Sequence, residues 1–250
     1  DDQIGVLLDW LEDTGRMKDT VIVITSDHGD YLGDHWLGEK TFFHNAAVKV
    51  PLIVYDPAPQ ADATRGTTSD ALVEAIDLLP TFLDMAGGDA KAVDHILEGQ
   101  SLLPLLHGTD DQVRDYVFCE LDYAMRPLAD ALNLTTREAR IFMVADKRWK
   151  LIHFEGGFRP MLFDLQNDPQ EVIDLGADAA HDAIRAQLMA ALQLWFRHPS
   201  QRTTVATGAL LAARRKPSRT GVILGAVSEA DAPADLTVKY RGRKAPKWDG

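Results

Sequence analysis

An acidic side chain and an imidazole stand side by side at Asp27-His28, and a lysine, Lys40, follows thirteen residues after the aspartate. A carboxylate and an imidazole together suit a divalent ion such as Zn²⁺, Mn²⁺ or Fe²⁺. A lysine beside such an ion could reach an anionic substrate. An isolated Asp-His pair more often caps a turn, so the setting has to decide. Here the apolar, β-branched run Val21-Ile22-Val23-Ile24 ends abruptly in Thr25-Ser26-Asp27-His28-Gly29-Asp30. Buried strands of parallel sheets read as such runs, and ligand sites in open α/β sheets lie just past the carboxyl ends of the strands. Adjacent strand residues point to opposite faces, so Asp27 and His28 converge only if the strand has already ended, and Gly29 makes that turn inexpensive. Two ligands do not complete a shell, because Zn²⁺ takes about four and harder ions about six. The rest must come from elsewhere. His35 and His44 are candidates for proton transfer, since histidine titrates near neutrality. Each reads first as a loop or core histidine and only second as a catalyst. Trp36 and Phe42-Phe43 read as packing residues.

The elements around these residues alternate. Ile4, Leu7, Leu8 and Leu11 follow the spacing of one helix face, and Gly15 fits the stop of a helix over 4–13. After the strand at 21–25, residues 27–46 form a long loop punctuated by Gly29, Gly33 and Gly38, a length usually tied to function in compact domains. Val50 to Tyr55 is the next strand, with Pro51 near its start. Ala71 to Ile76 reads as a short strand. Asp77 then looks like an N-cap, with Pro80 in the first helical turn and Gly87-Gly88 past the end. Strand–helix alternation with short connections is the α/β signature.

After about residue 110 the pattern changes. Tyr116 to Leu121, Arg140 to Val144, Trp149 to Phe154 and Met161 to Leu165 read as strands of a small antiparallel sheet, with a turn at Asp146-Lys147 and another at Gly156-Gly157. Ile184, Leu188, Ala191, Leu192 and Trp195 share one face of a helix that covers the sheet and ends near His198-Pro199. The domains expected are thus an α/β part over 1–110, a small sheet-and-helix part over 111–199, and a basic extended tail over 200–250.

Composition narrows the class. The 250 residues, 46% hydrophobic, suffice for one large core or a core with a subdomain. No apolar stretch reaches eighteen residues, so no membrane partner is expected. The single Cys119 excludes an internal disulfide framework and favours a cytoplasmic location. It lies in an apolar strand and reads as buried and inert. The chain opens on acidic Asp1-Asp2, without Met, directly into a helix. It is read as a piece of a longer protein, with any targeting signal in the missing part. Residues 201–250 carry ten Lys/Arg and four Asp/Glu, whereas the rest carries sixteen against thirty-four. The acidic body argues against nucleic acid as a partner. The basic tail could dock on an acidic neighbouring subunit, as an arm of a homo-oligomer, or stand as a solvated extension. There is no Walker A sequence, GxGxxG or GxSxG elbow.

Taken in order, Thr25-Ser26-Asp27-His28-Gly29-Asp30, then Leu32-Gly33-Asp34 and Lys40, resemble the C-terminal signature of sulfatases and phosphonate monoester hydrolases of the alkaline phosphatase superfamily. Val50-Pro51-Leu52-Ile53-Val54 is similar to the family's strand after the loop. Asp77-Leu78-Leu79-Pro80-Thr81-Phe82-Leu83-Asp84, Gly99-Gln100-Ser101-Leu102-Leu103-Pro104-Leu105-Leu106 and Leu162-Phe163-Asp164-Leu165-Gln166-Asn167-Asp168-Pro169-Gln170-Glu171 are similar to further landmarks. The resemblance covers roughly residues 1–197. It implies an alkaline-phosphatase-like, mostly parallel sheet flanked by helices, present in part. It also implies Asp27 and His28 as metal ligands and Lys40 as the contact to the anionic ester. Many sulfatases carry Asn where this chain has His28, often with Ca²⁺. His28, and the run His153 to Met161, resemble the phosphonate monoester hydrolase branch and choline-sulfatase-like members, and imply Mn, Zn or Fe ahead of Ca. The family's nucleophile is a formylglycine made from Cys or Ser in a Cys/Ser-x-Pro-x-Arg motif. No such motif occurs here, and Cys119 is followed by Glu120-Leu121-Asp122, so formylglycine is expected outside this chain, in the missing N-terminal half.

Three readings follow. The first is the C-terminal portion of a metal-dependent hydrolase of phosphonate monoesters, phosphodiesters or sulfate esters, inactive as a fragment. A cofactor-independent phosphoglycerate mutase or phosphopentomutase would share Asp-His-Gly, but not the Lys40 spacing with the Asp164–Glu171 landmark. A truncated, non-catalytic relative acting in oligomerisation or binding is the third.

Overall fold

The computed structural model describes residues 1–40, 42–93, 97–198, 208, 211 and 212. In chain order the elements are α1 (Asp2–Asp13), β1 (Ile22–Thr25), α2 (Asn45–Val48), β2 (Leu52–Tyr55), α3 (Leu78–Met85), α4 (Leu103–Leu106), β3 (Val117–Asp122), α5 (Pro127–Ala131), β4 (Arg140–Ala145), β5 (Trp149–Phe154), β6 (Met161–Asp164) and α6 (Asp182–Trp195). No helix among the described residues is long and apolar enough to cross a membrane. The basic tail lies almost wholly outside the described residues.

The described residues of 1–121 and 141–198 belong to one compact unit. Its first sheet is a pair, β1 against β2, antiparallel, with Ile22 opposite Tyr55 and Thr25 opposite Leu52. β1 stops at Thr25, one residue before the Asp-His pair, so that the strand has ended where the pair begins. α1 ends where Gly15 takes φ +66°. It buries Leu11 but leaves Ile4, Leu7 and Trp10 exposed, so its packed side is narrower than the periodicity indicates.

The expected strand at Ala71–Ile76 does not form. Residues 75–77 are a turn of 3-10 helix instead. Glu74 and Asp77 cap each other reciprocally there, and the Glu74 side chain accepts the Phe118 N–H at 2.6 Å. Those bonds bend the chain out of any ladder. The buried Asp77 carboxylate does not cap α3. It accepts the N–H groups of Glu74 (2.7 Å) and Gln100 (2.8 Å) and pairs with Arg114, which also pairs with Glu74. Thr81 hydroxyl, on the next turn, accepts the Leu102 N–H at 2.8 Å. A Cβ at residue 99 would lie 2.1 Å from the Ile76 oxygen, so only glycine lets these segments meet.

The second sheet runs β3-β4-β5-β6, and β4–β5 and β5–β6 are antiparallel, with Val144 opposite Leu151 and Leu151 opposite Leu162. The turn between β4 and β5 is closed by Asp146, whose carboxylate accepts the N–H groups of Arg148 and Trp149. One sheet face meets α6: Phe142, Val144, Leu151, Leu162, Leu188 and Leu192 are fully buried together. Each such side chain contributes about 1.5–3 kcal/mol by leaving water. The period of two puts Met143, Lys150, Ile152 and Phe163 on the opposite face, and these are buried as well. That second face supports the site loop.

Residues 122–140 fall in a second unit. They include α5, with Tyr123, Ala124, Ala129 and Ala139 buried and the Tyr123 N–H donating to the Ala139 oxygen at 3.0 Å.

Candidate functional site

The strand end delivers Asp27 and His28 side by side. The Asp27 carboxylate accepts the His28 N–H at 3.0 Å, turning the chain as it leaves β1. The imidazole Nδ1 lies 2.8 Å from the Gly29 oxygen. A carbonyl only accepts, so Nδ1 carries the proton of that bond and Nε2 is the ring atom left to meet another partner. Nε2 faces Asp27 Oδ2 at 3.2 Å. The imidazole and the carboxylate thus converge at the surface, Asp27 being 82% exposed. Such an arrangement fits a cation, which both groups could ligate. No cluster of three or more His, Cys, Asp and Glu side chains suited to a metal occurs among the described residues. Asp27 and His28 are the two such side chains that meet at this point.

Gly29 fixes the position of the pair. Its N–H donates to the Ala47 oxygen at 2.8 Å, and a Cβ there would lie 2.0 Å from the Ala46 oxygen. The short helix α2 and the residue after His28 touch backbone to backbone. From Asp30 onward the loop is tightly bent: Leu32, His35, Trp36 and Glu39 all have positive φ. Such conformations cluster at ligand sites, held by surrounding structure. The bend is closed by the Tyr31 N–H, which donates to the Glu39 oxygen at 2.9 Å, and Lys40 follows, exposed to solvent.

His44 is buried, with Nδ1 2.8 Å from the Tyr31 hydroxyl and its ring stacked on His35 at 4.0 Å between centroids. Burial and the neighbouring His35 push its pKa down to about 4, and burial pushes that of Tyr31 up to about 12. With that pKa His44 is uncharged near neutrality and a poor general acid. The half-buried His35 is the more accessible of the two rings. Phe43 packs inside as expected, but Trp36 does not: it is fully exposed, at a φ of +60° on the outer bend of the loop. Cys119 is half-buried, with its thiol pushed up to about 11 by burial, and stays a thiol at neutral pH.

One group of residues near the loop escaped the sequence reading. Lys150 Nζ contacts Glu171 Oε1 at 2.7 Å, both side chains 2% exposed, and donates to Asn45 Oδ1 at 2.6 Å. Glu171 Oε2 accepts the Asn45 N–H at 2.5 Å. A lysine in the otherwise apolar run Leu151-Ile152 side of β5 was the available signal, because a charge at an inward strand position needs a partner.

Comparison with known proteins gives the family of the chain. The family model described as N-sulphoglucosamine sulphohydrolase, C-terminal, matches residues 33–197. The multifunctional alkaline phosphatase superfamily protein PehA of Trinickia caryophylli is 31% identical over 188 residues, covering 74% of this chain and 35% of that protein. The choline-sulfatase of Rhizobium meliloti is 30% identical over 194 residues, covering 76% of this chain and 33% of that protein. The crystal structure of the phosphonate monoester hydrolase of Agrobacterium radiobacter superposes with a TM-score of 0.69 at 32% identity, over 79% of this chain and 39% of that one. The chain spans about a third of the length of these curated relatives. The α/β, alkaline-phosphatase-like class expected from the sequence is the fold of these solved neighbours. With the Asp-His corner and every quoted landmark inside or beside the matched span, the chain belongs to the sulfatase and phosphonate monoester hydrolase family of the alkaline phosphatase superfamily, of which it is a C-terminal part.

Proposed function

We propose that this chain supplies the C-terminal side of the site of a metal-dependent hydrolase acting on phosphonate monoesters, phosphodiesters or sulfate esters. The observation that carries the reading is the confrontation of His28 Nε2 with Asp27 Oδ2 at 3.2 Å, with Nδ1 already bonded to the Gly29 oxygen. In this reading Asp27 and His28 hold one divalent ion, Mn, Zn or Fe ahead of Ca, because imidazole suits those ions better than it suits calcium. The bound ion supplies Lewis acidity that lowers the barrier at an anionic ester. The Gly29 oxygen keeps His28 in the tautomer that a ligand needs. Lys40 brings its ammonium to the non-bridging oxygens, where negative charge builds up in the transition state. The nucleophile, a formylglycine, and the remaining ligands come from sequence outside this chain. His35 is better suited to move a proton to the leaving oxygen than His44, which stays neutral.

A choline-sulfatase-like sulfuric ester hydrolase is the second reading, supported by the 30% identity with the Rhizobium protein. The two differ in the ester cleaved, not in the roles of Asp27, His28 and Lys40. Association into a homo-oligomer through residues 200–250 belongs to the same proposal.

The test uses the full-length protein. Asp27→Ala lowers bound metal, measured by elemental analysis after gel filtration. Lys40→Ala keeps the metal and loses about 10²–10³-fold in turnover of an aryl phosphonate or aryl sulfate, the scale of removing one transition-state donor. Unchanged metal in the first variant, or unchanged turnover in the second, removes that residue from the site.

A further inference from the structure

Helix α2 has four residues, too few to hold itself together in water. Yet it is the surface against which the residue after His28 is placed, through Gly29 N–H to Ala47 O at 2.8 Å. Something outside the helix must fix it. Its first N–H, that of Asn45, is bound by Glu171 Oε2 at 2.5 Å, and the Asn45 side chain is bound by Lys150 Nζ at 2.6 Å. Lys150 and Glu171 meet at 2.7 Å, buried on the face of the second sheet opposite α6. Glu171 takes this place with φ +56°, a conformation disfavoured for any residue with a Cβ. The two partners lie 105 and 126 residues from Asn45 along the chain. They come from β5 and from the loop after β6, elements that carry no group of the Asp27–His28 corner.

We infer that the buried Lys150–Glu171 pair is a positioning device for the metal corner, acting through Asn45, α2 and Gly29 on the imidazole of His28. The inference rests on the metal-site reading above and assigns it a new pair of residues. The path is short: Glu171 fixes the start of α2, the Ala46 and Ala47 oxygens fix Gly29, and the Gly29 oxygen holds Nδ1 of His28 at 2.8 Å. Loss of the pair lets α2 shift or unwind, and the direction of Nε2 then becomes variable. Outer partners that orient a ligating histidine typically matter by about 10–100-fold in metal affinity.

The experiment compares full-length variants by three measurements: Mn²⁺ affinity by chelator competition, amide hydrogen exchange of Gly29, and stability in urea. Glu171→Gln weakens the acceptor for Asn45. It is expected to raise the Mn²⁺ dissociation constant about tenfold and to speed Gly29 exchange in metal-free protein. Because one unpaired buried lysine can prevent folding, Lys150→Met with Glu171→Met is the second variant. Replacing a buried ion pair with apolar residues often leaves stability unchanged, so this double variant separates positioning from stability. It is expected to keep its urea midpoint and still bind Mn²⁺ about tenfold or more weakly, with fast Gly29 exchange. Native Mn²⁺ affinity and native Gly29 exchange in a folded variant would overturn the inference. Asp27→Ala is the control for the underlying reading. If it leaves Mn²⁺ affinity unchanged, the metal corner itself is wrong; if it abolishes binding while the pair variants bind normally, only the positioning role falls.

Discussion

Replacing Gly29 by alanine adds one methyl group at the narrowest point of the site. The new Cβ would lie 2.0 Å from the Ala46 oxygen, 3.0 Å from the Ala46 carbonyl carbon and 3.3 Å from the Ala47 Cα. All three are backbone atoms, so no side-chain rotation relieves the overlap. Reaching an ordinary contact of 3.4 Å moves the oxygen away by about 1.4 Å. A displacement of that size stretches the Gly29 N–H to Ala47 O bond from 2.8 Å beyond hydrogen-bonding range. The lost bond contributes about 1 kcal/mol, and forcing the methyl group into a filled space costs about 1–3 kcal/mol. Together they predict about 2–4 kcal/mol of destabilisation, a fall in Tm of roughly 4–16 °C for a domain of this size. The chemical effect is of similar size, because a misplacement near 1 Å costs about 10²-fold in rate, or about 2.7 kcal/mol. Gly29 does not have a positive φ, so the effect is steric and not conformational. Gly38, on the same loop, has open space where its Cβ would be and no positive φ, and supplies the control. Calorimetry and initial rates on an aryl phosphonate ester, in the full-length protein, measure both effects. If Gly29→Ala melts and turns over like Gly38→Ala, the close approach of α2 does not place the Asp-His pair.

Two further variants probe the frame. Arg114→Met strands the buried Asp77 and Glu74 carboxylates that now share one guanidinium; breaking such a cluster costs about 3–5 kcal/mol, read as a drop in urea midpoint with turnover per folded molecule unchanged. A change below about 1 kcal/mol would contradict the buried cluster. Asp164 accepts hydrogen bonds from Arg148 and from Asn167, and chiefly the Arg148 bonds hold its carboxyl down at about 2. A depressed carboxyl stabilises the fold above its unfolded pKa, about 4, and loses that contribution as pH falls through the folded value. The stability gap between the native protein and Asp164→Asn should thus be full at pH 5 and shrink from about pH 4 to pH 2; a gap independent of pH over that window contradicts the pairing.

Local order was legible where one period ruled a segment. Trp149–Phe154 forms the strand expected between the turn residues that flank it, and α6 spans the residues whose apolar stripe repeats. The 71–76 segment misleads because its fate is set by side-chain bonds of Glu74 and Asp77, which hydrophobic patterning does not register. The direction of β2 against β1 is equally silent, since a short, wholly apolar strand looks the same in either pairing. At the site, Asp27 and His28 could be placed together because the strand end and Gly29 lie in one local stretch. Lys150, Glu171 and Asn45 could not, because nothing in a segment of ten residues reports a partner more than a hundred positions away. Only the charge of Lys150 on an inward strand position hints that one exists.

The landmarks that mark the family in this sequence divide by the work they do. Asp77, Thr81, Gly99 and Gln100 join α3 to the approach of α4. Asp164, Asn167, Asp168 and Glu171 fold the loop after β6, with Asp168 accepting the Ile173 N–H at 2.8 Å and Glu171 reaching back to α2. Apart from Gln100 and Asn167, these side chains are buried or tightly packed, and none lies in the Asp27–Lys40 loop. Asp27 and Lys40 are exposed, and among the described residues the Asp27 carboxylate bonds only its chain neighbours Ser26 and His28. A chain that lost Asp27 and Lys40 but kept the landmarks would therefore fold as this one does and match the same family. Membership is carried by the clamps, whereas the roles proposed for Asp27 and Lys40 rest on exposed side chains whose removal costs little stability. For this protein the two can be separated in one experiment: Asp27→Ala with Lys40→Ala should leave the urea midpoint within about 0.5 kcal/mol of the metal-free native protein, while metal binding and turnover disappear.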